Sequence, residues 1–171
     1  MGLDCYIVHG NDREKAFTHE DDPRIKDIML CGGMMSGNGA DGSFRGKAYE
    51  PLVSELMQKE DEVENSYIWH LPDEEDAHVT ALELKEQADA LADFLCSVES
   101  DAKEQDLLID DGKPTLSPET IIYQYPFDNV NIYKGIAGRA VQYEYTYQEV
   151  QDLELLLRCA SERGAVMTVW W

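Results

Sequence analysis

The spacing of apolar and polar residues changes along the chain, and each change marks an element. In residues 3–9 (LDCYIVH) the alternation is imperfect. Tyr6, Ile7 and Val8 nevertheless suit a pleated surface, so the segment reads as a strand. Residues 10–26 are polar and charged and predict a loop. The apolar run at 27–31 (DIMLC) predicts a short buried strand that feeds a glycine-rich stretch. Proline starts helices well because its missing N–H would be an orphan there. With Leu52, Val53, Leu56 and Met57 at helical spacing, Pro51 therefore predicts an amphipathic helix over 51–62. Residues 66–71 (SYIWHL) read as a strand stopped by Pro72.

The clearest helix follows. Thr80 and Glu83 form a capping-box pair, in which each side chain can satisfy the other's orphan backbone N–H. Leu84, Ala88, Leu91, Ala92, Leu95 and Val98 then fall on one face, with Glu86, Asp89 and Asp93 opposite, and the pattern fades near residue 99. Residues 100–118 read as an exposed connector. Beyond it, 120–125 (TIIYQY), 130–133 (VNIY) and 140–145 (AVQYEY) are strand-forming runs separated by turn residues. A second capping box, Thr146 with Glu149, opens a helix whose apolar stripe is Val150, Leu153, Leu156, Leu157 and Ala160. Gly164 is its C-terminal stop. The run AVMTVWW at 165–171 is a β-branched and aromatic strand.

Together these elements predict an α+β fold in a single domain over 1–171, since domains commonly hold roughly 100–200 residues. The expected core is a mixed sheet of about five or six strands with two or three amphipathic helices packed on it. A C-terminal βαβ-like unit is part of this expectation. If its strands are parallel, the crossover should be right-handed. A hydrophobic share of 43% is ordinary for a globular chain.

Charge changes the picture more than size does. The formal net charge is −21, and its distribution is uneven. Residues 1–50 hold 9 acids and 6 bases, residues 112–171 hold 7 and 5, but residues 51–111 hold 19 acids against 3 bases. A halophilic surface would spread its acid more evenly, so a functional segment ranks first. This strongly acidic, mainly helical segment repels phosphates, which disfavours nucleic acid and anionic membranes as partners and favours a basic protein or divalent cations. No apolar run approaches the roughly 18–20 residues of a membrane span. The opening residues lack the basic and apolar regions of a secretion leader, so a cytoplasmic location is expected. Cys5, Cys31, Cys96 and Cys159 are scattered without metal-ligand spacing. They are expected to be reduced and mostly buried, with Cys5 or Cys31 the better nucleophile of the four.

Two constellations could carry chemistry. Six of the twelve glycines lie in 32–47, where Gly37, Gly39 and Gly42 match G-x-G-x-x-G by letter but without the strand and helix context of a dinucleotide fold. Gly42, Ser43, Arg45, Gly46 and Lys47 stand just before a predicted helix and could hold a phosphate or carboxylate. The competing reading is a surface loop whose cations pair with nearby acids. His70, Asp73, Glu75 and His78 form the second constellation and are candidate metal ligands, although a solvated turn ahead of the Thr80 helix explains them equally well. Cys5, His9 and Tyr49 are catalytic candidates, with His19 a further possible base. No cofactor is implied. Tyrosines cluster in the last third, where a half-buried sheet face accounts for them better than base stacking. Trp170 and Trp171 suggest packing, or a dimer contact if exposed.

Two functional classes follow. One is a binding or regulatory protein that presents an acidic face to a basic partner. The other is a small enzyme or ligand-binding domain that holds an anionic group at the loop 32–47.

Overall fold

The computed structural model describes residues 3–57, 68–104, 116–125 and 143–170. The strand expected at 130–133 lies outside these residues. So do the ends of three predicted elements at 58–62, 66–67 and 140–142, most of the 100–118 connector, and Trp171.

The chain is an α+β fold built on one buried core, with three helices packed against antiparallel strands. At its centre is β1 (Asp4–His9). Its odd-numbered residues, Cys5 and Ile7, are fully buried, and the residues paired with them, Phe44 and Met167, face the same core. On one side β1 pairs along its length with β6 (Val166–Trp170), in a register running from Asp4 opposite Trp170 to Val8 opposite Val166. On the other side it pairs with β2 (Asp12–Ala16) and the two-residue β3 (Ser43–Phe44). A single bridge from Val79 to Met167 extends the sheet past β6.

Strand β2 corrects the loop expected at 10–26. Its residues, DREKA, are all exposed and carry no apolar alternation, so periodicity could not reveal it. It forms because Gly10-Asn11 supplies a two-residue turn after β1, and its charges suit an edge strand that must not recruit another chain. The strand expected at 27–31 is absent. Ile28 and Leu30 do point inward while Met29 and Cys31 are exposed, but the backbone bonds singly, Leu30 N–H to Asn38 and Arg45 N–H to the Cys31 carbonyl.

The first helix, α1 (Gly46–Leu56), starts five residues before Pro51. Pro51 therefore sits inside it and has no N–H to offer the carbonyl of Lys47. Tertiary contacts set the earlier start: the Lys47 N–H bonds the Leu3 carbonyl at 3.0 Å, and Gly46 presses on Cys5 so closely that a Cβ would collide with its sulfur. Residues 68–71 form a turn rather than the predicted strand, with Trp69 wholly buried.

Both capping boxes are made. Thr80 and Glu83 exchange bonds at 2.8 and 3.2 Å ahead of α2 (Ala81–Glu104), which runs one turn past its predicted end. Thr146 and Glu149 do the same ahead of α3 (Tyr147–Glu162). At the end of α3, Gly164 has φ of +70°. Its N–H reaches the Ser161 carbonyl and that of Ala165 reaches Ala160, so two orphan carbonyls are satisfied. Helices α2 and α3 pack along Leu84, Ala88, Leu91 and Leu95 against the Leu153–Leu157 stripe, each buried leucine contributing about 1.5–3 kcal/mol. Arg158 of α3 ties them at the surface, 3.0 Å from Asp89.

Strands β4 (Ile121–Tyr125) and β5 (Tyr143–Thr146) form a separate antiparallel pair. Tyr123, Tyr143 and Tyr145 make ring contacts with one another, with Tyr49 and with Phe94, so these tyrosines pack a sheet face. The order β5–α3–β6 is thus strand–helix–strand, but its strands belong to different sheets and no parallel crossover arises. Among the described residues no helix is long and apolar enough to cross a membrane.

Candidate functional site

The glycine-rich loop folds onto itself. Gly42 has φ of +84°, and a Cβ there would run into the Phe17 carbonyl, so this position needs both the left-handed backbone and the absent side chain. Its carbonyl accepts the Ile7 N–H at 2.6 Å. Four of the loop N–H groups that could have converged on an anion are committed elsewhere. Gly33 donates to Ser36, Gly37 to the Ser43 hydroxyl at 2.8 Å, Gly39 to the Ser43 carbonyl and Ser43 to Asp41. Ser43 is buried, with its hydroxyl 3.2 Å from the Asp41 carboxylate. Arg45 lies 3.3 Å from Asp4, and Gly46 is buried under Cys5 and Leu3. Lys47 is exposed and pairs with no acid among the described residues. Two carboxylates, Asp4 and Asp41, already engage Arg45 and Ser43.

The catalytic candidates are not brought together. Cys5 and His9 lie four residues apart on one strand, about 13 Å at the usual rise. Burial, reinforced by the charges of Glu50 and Asp4, pushes the Cys5 thiol well above its ordinary range, the reverse of an activated nucleophile. His9 has Nε2 3.1 Å from Asp21 and rests edge-on against Phe17, while His19 faces the Ala40 carbonyl. Tyr49 is buried, and its hydroxyl accepts the Cys31 N–H at 2.7 Å and donates to Glu149 at 3.1 Å, so it pins α1 to the loop and to α3. Burial pushes its ionisation far up. All four cysteines are free. Cys31 and Cys96 are exposed where burial was expected, and burial raises the Cys159 thiol to about 11.

The candidate metal ligands also go separate ways. His70 Nδ1 lies 2.9 Å from the buried carboxylate of Glu50, His78 faces the Asp76 carbonyl, and Asp73 and Glu75 are exposed. Among the described residues no three His, Cys, Asp or Glu side chains are placed to hold a metal ion.

What the strands do assemble is a cleft of about 550 Å³ on the sheet face turned away from the core. The register that sends Cys5 and Ile7 inward sends Tyr6 and its partners Ser43 and Thr168 outward, with Trp170 at the strand end. Arg13 and Glu14 of β2 form one wall, and Met35 with Asp41 forms another. The Tyr6 hydroxyl donates to the Met35 carbonyl at 2.9 Å and so holds the loop over the sheet. Trp170 and Met35 are 71% and 74% exposed, unusual for large apolar side chains that border a cleft. Sequence reasoning missed this site because it depends on cross-strand register. The Gly10-Asn11 turn was its one local signal.

One acid of the turn before α2, Asp76, reaches the cleft wall through Arg13. On α2 and the turn before it, Asp73, Glu74, Glu75, Glu86, Asp93 and Asp101 are exposed and pair with no cation among the described residues. Asp76 and Asp89 do pair, with Arg13 and with Lys85 and Arg158. No family model matches the chain, and no curated protein or solved structure is significantly similar to it.

Proposed function

We propose that the chain is a binding or regulatory protein of the reducing cytoplasm that presents its acidic segment, residues 51–111, to a basic partner. One observation carries the reading: exposed carboxylates crowd α2 and the Asp73–Asp76 turn, where only Asp76 and Asp89 have counter-cations among the described residues. Such a surface speeds encounter with a basic protein and repels nucleic acid. The alternative, an enzyme or ligand-binding domain that holds an anionic group at 32–47, has the exposed Lys47 in its favour.

The test is binding of a labelled peptide of alternating arginine and alanine, read by anisotropy at about 20 mM and about 200 mM salt. Replacing Asp73, Glu74 and Glu75 by their amides should weaken binding roughly three- to tenfold. Neutralising Glu20, Asp27 and Glu119, equally exposed acids elsewhere, is the charge-matched control. Equal losses in both triples would mean that net charge alone drives binding and would overturn the reading.

A further inference from the structure

We infer that the cleft on the outer sheet face seats an arginine or lysine side chain of a basic protein partner, between the rings of Trp170 and Tyr6 and the carboxylates of Glu14 and Asp41. This rests on the basic-partner reading and locates its anchoring contact. Three features of the cleft support it. Its volume, about 550 Å³, admits a long side chain with its flanking backbone. Its apolar surface is aromatic and thioether, the kind that lies along an aliphatic stem and attracts a cation to its ring faces.

Its charge is complementary as well. Arg13 is the sole cation among the lining residues, and it is already engaged, 3.6 Å from the Asp76 carboxylate and 3.3 Å from the Asp76 carbonyl. Glu14 is exposed with no cationic partner among the described residues, and Asp41 holds only Ser43. Burial, and then the charges of Asp4 and Asp41, raise the ionisation of the Tyr6 phenol, as expected where the local potential is negative. The Arg13–Asp76 pair also joins the cleft wall to the acidic turn, so one basic segment can engage both without a gap.

The experiment uses the full chain and the same arginine–alanine peptide, with Trp170→Ala and, separately, Glu14→Gln. Both side chains are exposed, and Glu14→Gln removes no packing, so at least one variant keeps the fold. The expected result is a roughly fivefold loss of affinity in each, with the tryptophan emission of the wild type shifting on binding. If the wild type does not bind the peptide, the basic-partner reading fails and this inference fails with it. If binding is weakened by the Asp73–Glu75 triple but unchanged in Trp170→Ala and Glu14→Gln, the partner reading stands and the cleft is excluded as its anchor. If Trp170→Ala alters only self-association in sedimentation, the cleft is an interface between copies and the inference is overturned.

Discussion

The segment from Phe17 to Tyr49 and the segment from His70 to Glu104 are both rich in polar groups but dispose of them in opposite ways. In the first, the N–H groups of Gly33, Gly37, Gly39 and Ser43, and the side chains of Ser43, Arg45 and Tyr49, find partners inside the fold. Asp22 belongs to the same pattern: it is 1% exposed, Arg24 binds it through two nitrogens, and Arg163 lies 3.6 Å away. In the second segment most carboxylates point outward and pair with no cation among the described residues. The contrast separates polar groups that build the structure from those left available to another molecule. The glycine-rich loop, conspicuous in sequence, is bound into the fold at Gly42 and Ser43.

The strongest way to break this comparison is Gly42→Ala. The substitution forces a Cβ onto a left-handed residue and into the Phe17 carbonyl, so it should cost about 3 kcal/mol or more in urea unfolding. A change below about 1 kcal/mol would show that the loop is not structural.

Next comes pH. Hydrogen bonds from Arg24 hold the Asp22 carboxyl well below the usual carboxylate range. A depressed folded value means that its stabilisation is complete above the unfolded pKa of about 4 and is lost as pH falls through the folded value. Asp22→Asn should cost about 2–3 kcal/mol at neutral pH and leave a shallower acid limb in the stability profile. Glu50, at the seam between the two segments, is shifted the other way. Burial raises its carboxyl, with His70 opposing, so its contribution is present below the unfolded value and fades as pH rises through the folded one. Glu50→Gln should therefore lose less stability than the wild type across the rise from acid to neutral pH, as urea midpoints would show.

The smallest expected effect lies on α2. Glu86→Gln and Asp93→Asn should each shift stability by less than about 0.5 kcal/mol, because neither carboxylate bonds to another of the described residues. Thermal melts will check this, and a larger loss from either would mean that its charge is structural after all.

The elements legible in the sequence are those governed by local chemistry. The reciprocal caps at Thr80–Glu83 and Thr146–Glu149 fix two helix starts, Gly164 fixes one end, and the leucine stripes fix the faces those helices bury. Where distant contacts decide, the reading failed. Pro51 looks like a helix start, but the Leu3 carbonyl and Cys5 set the start at Gly46. Strand β2 has no apolar residue facing the core and follows only from its neighbour. The candidate site was illegible for the same reason: Tyr6, Arg13, Asp41 and Trp170 are strangers in sequence and meet only through the pairing of β1 with strands on either side.

That pairing also constrains how the molecule is made. Asp4 lies opposite Trp170, so the central strand gains its longest partner only after α2 and α3 have been made. Until then Cys5 and Ile7 have no β6 beside them, and a bare strand edge is an aggregation hazard. Closing a sheet across so long a stretch is slow compared with forming α2 and α3. The helical layer therefore forms faster, and the pairing of β1 with β6 follows it.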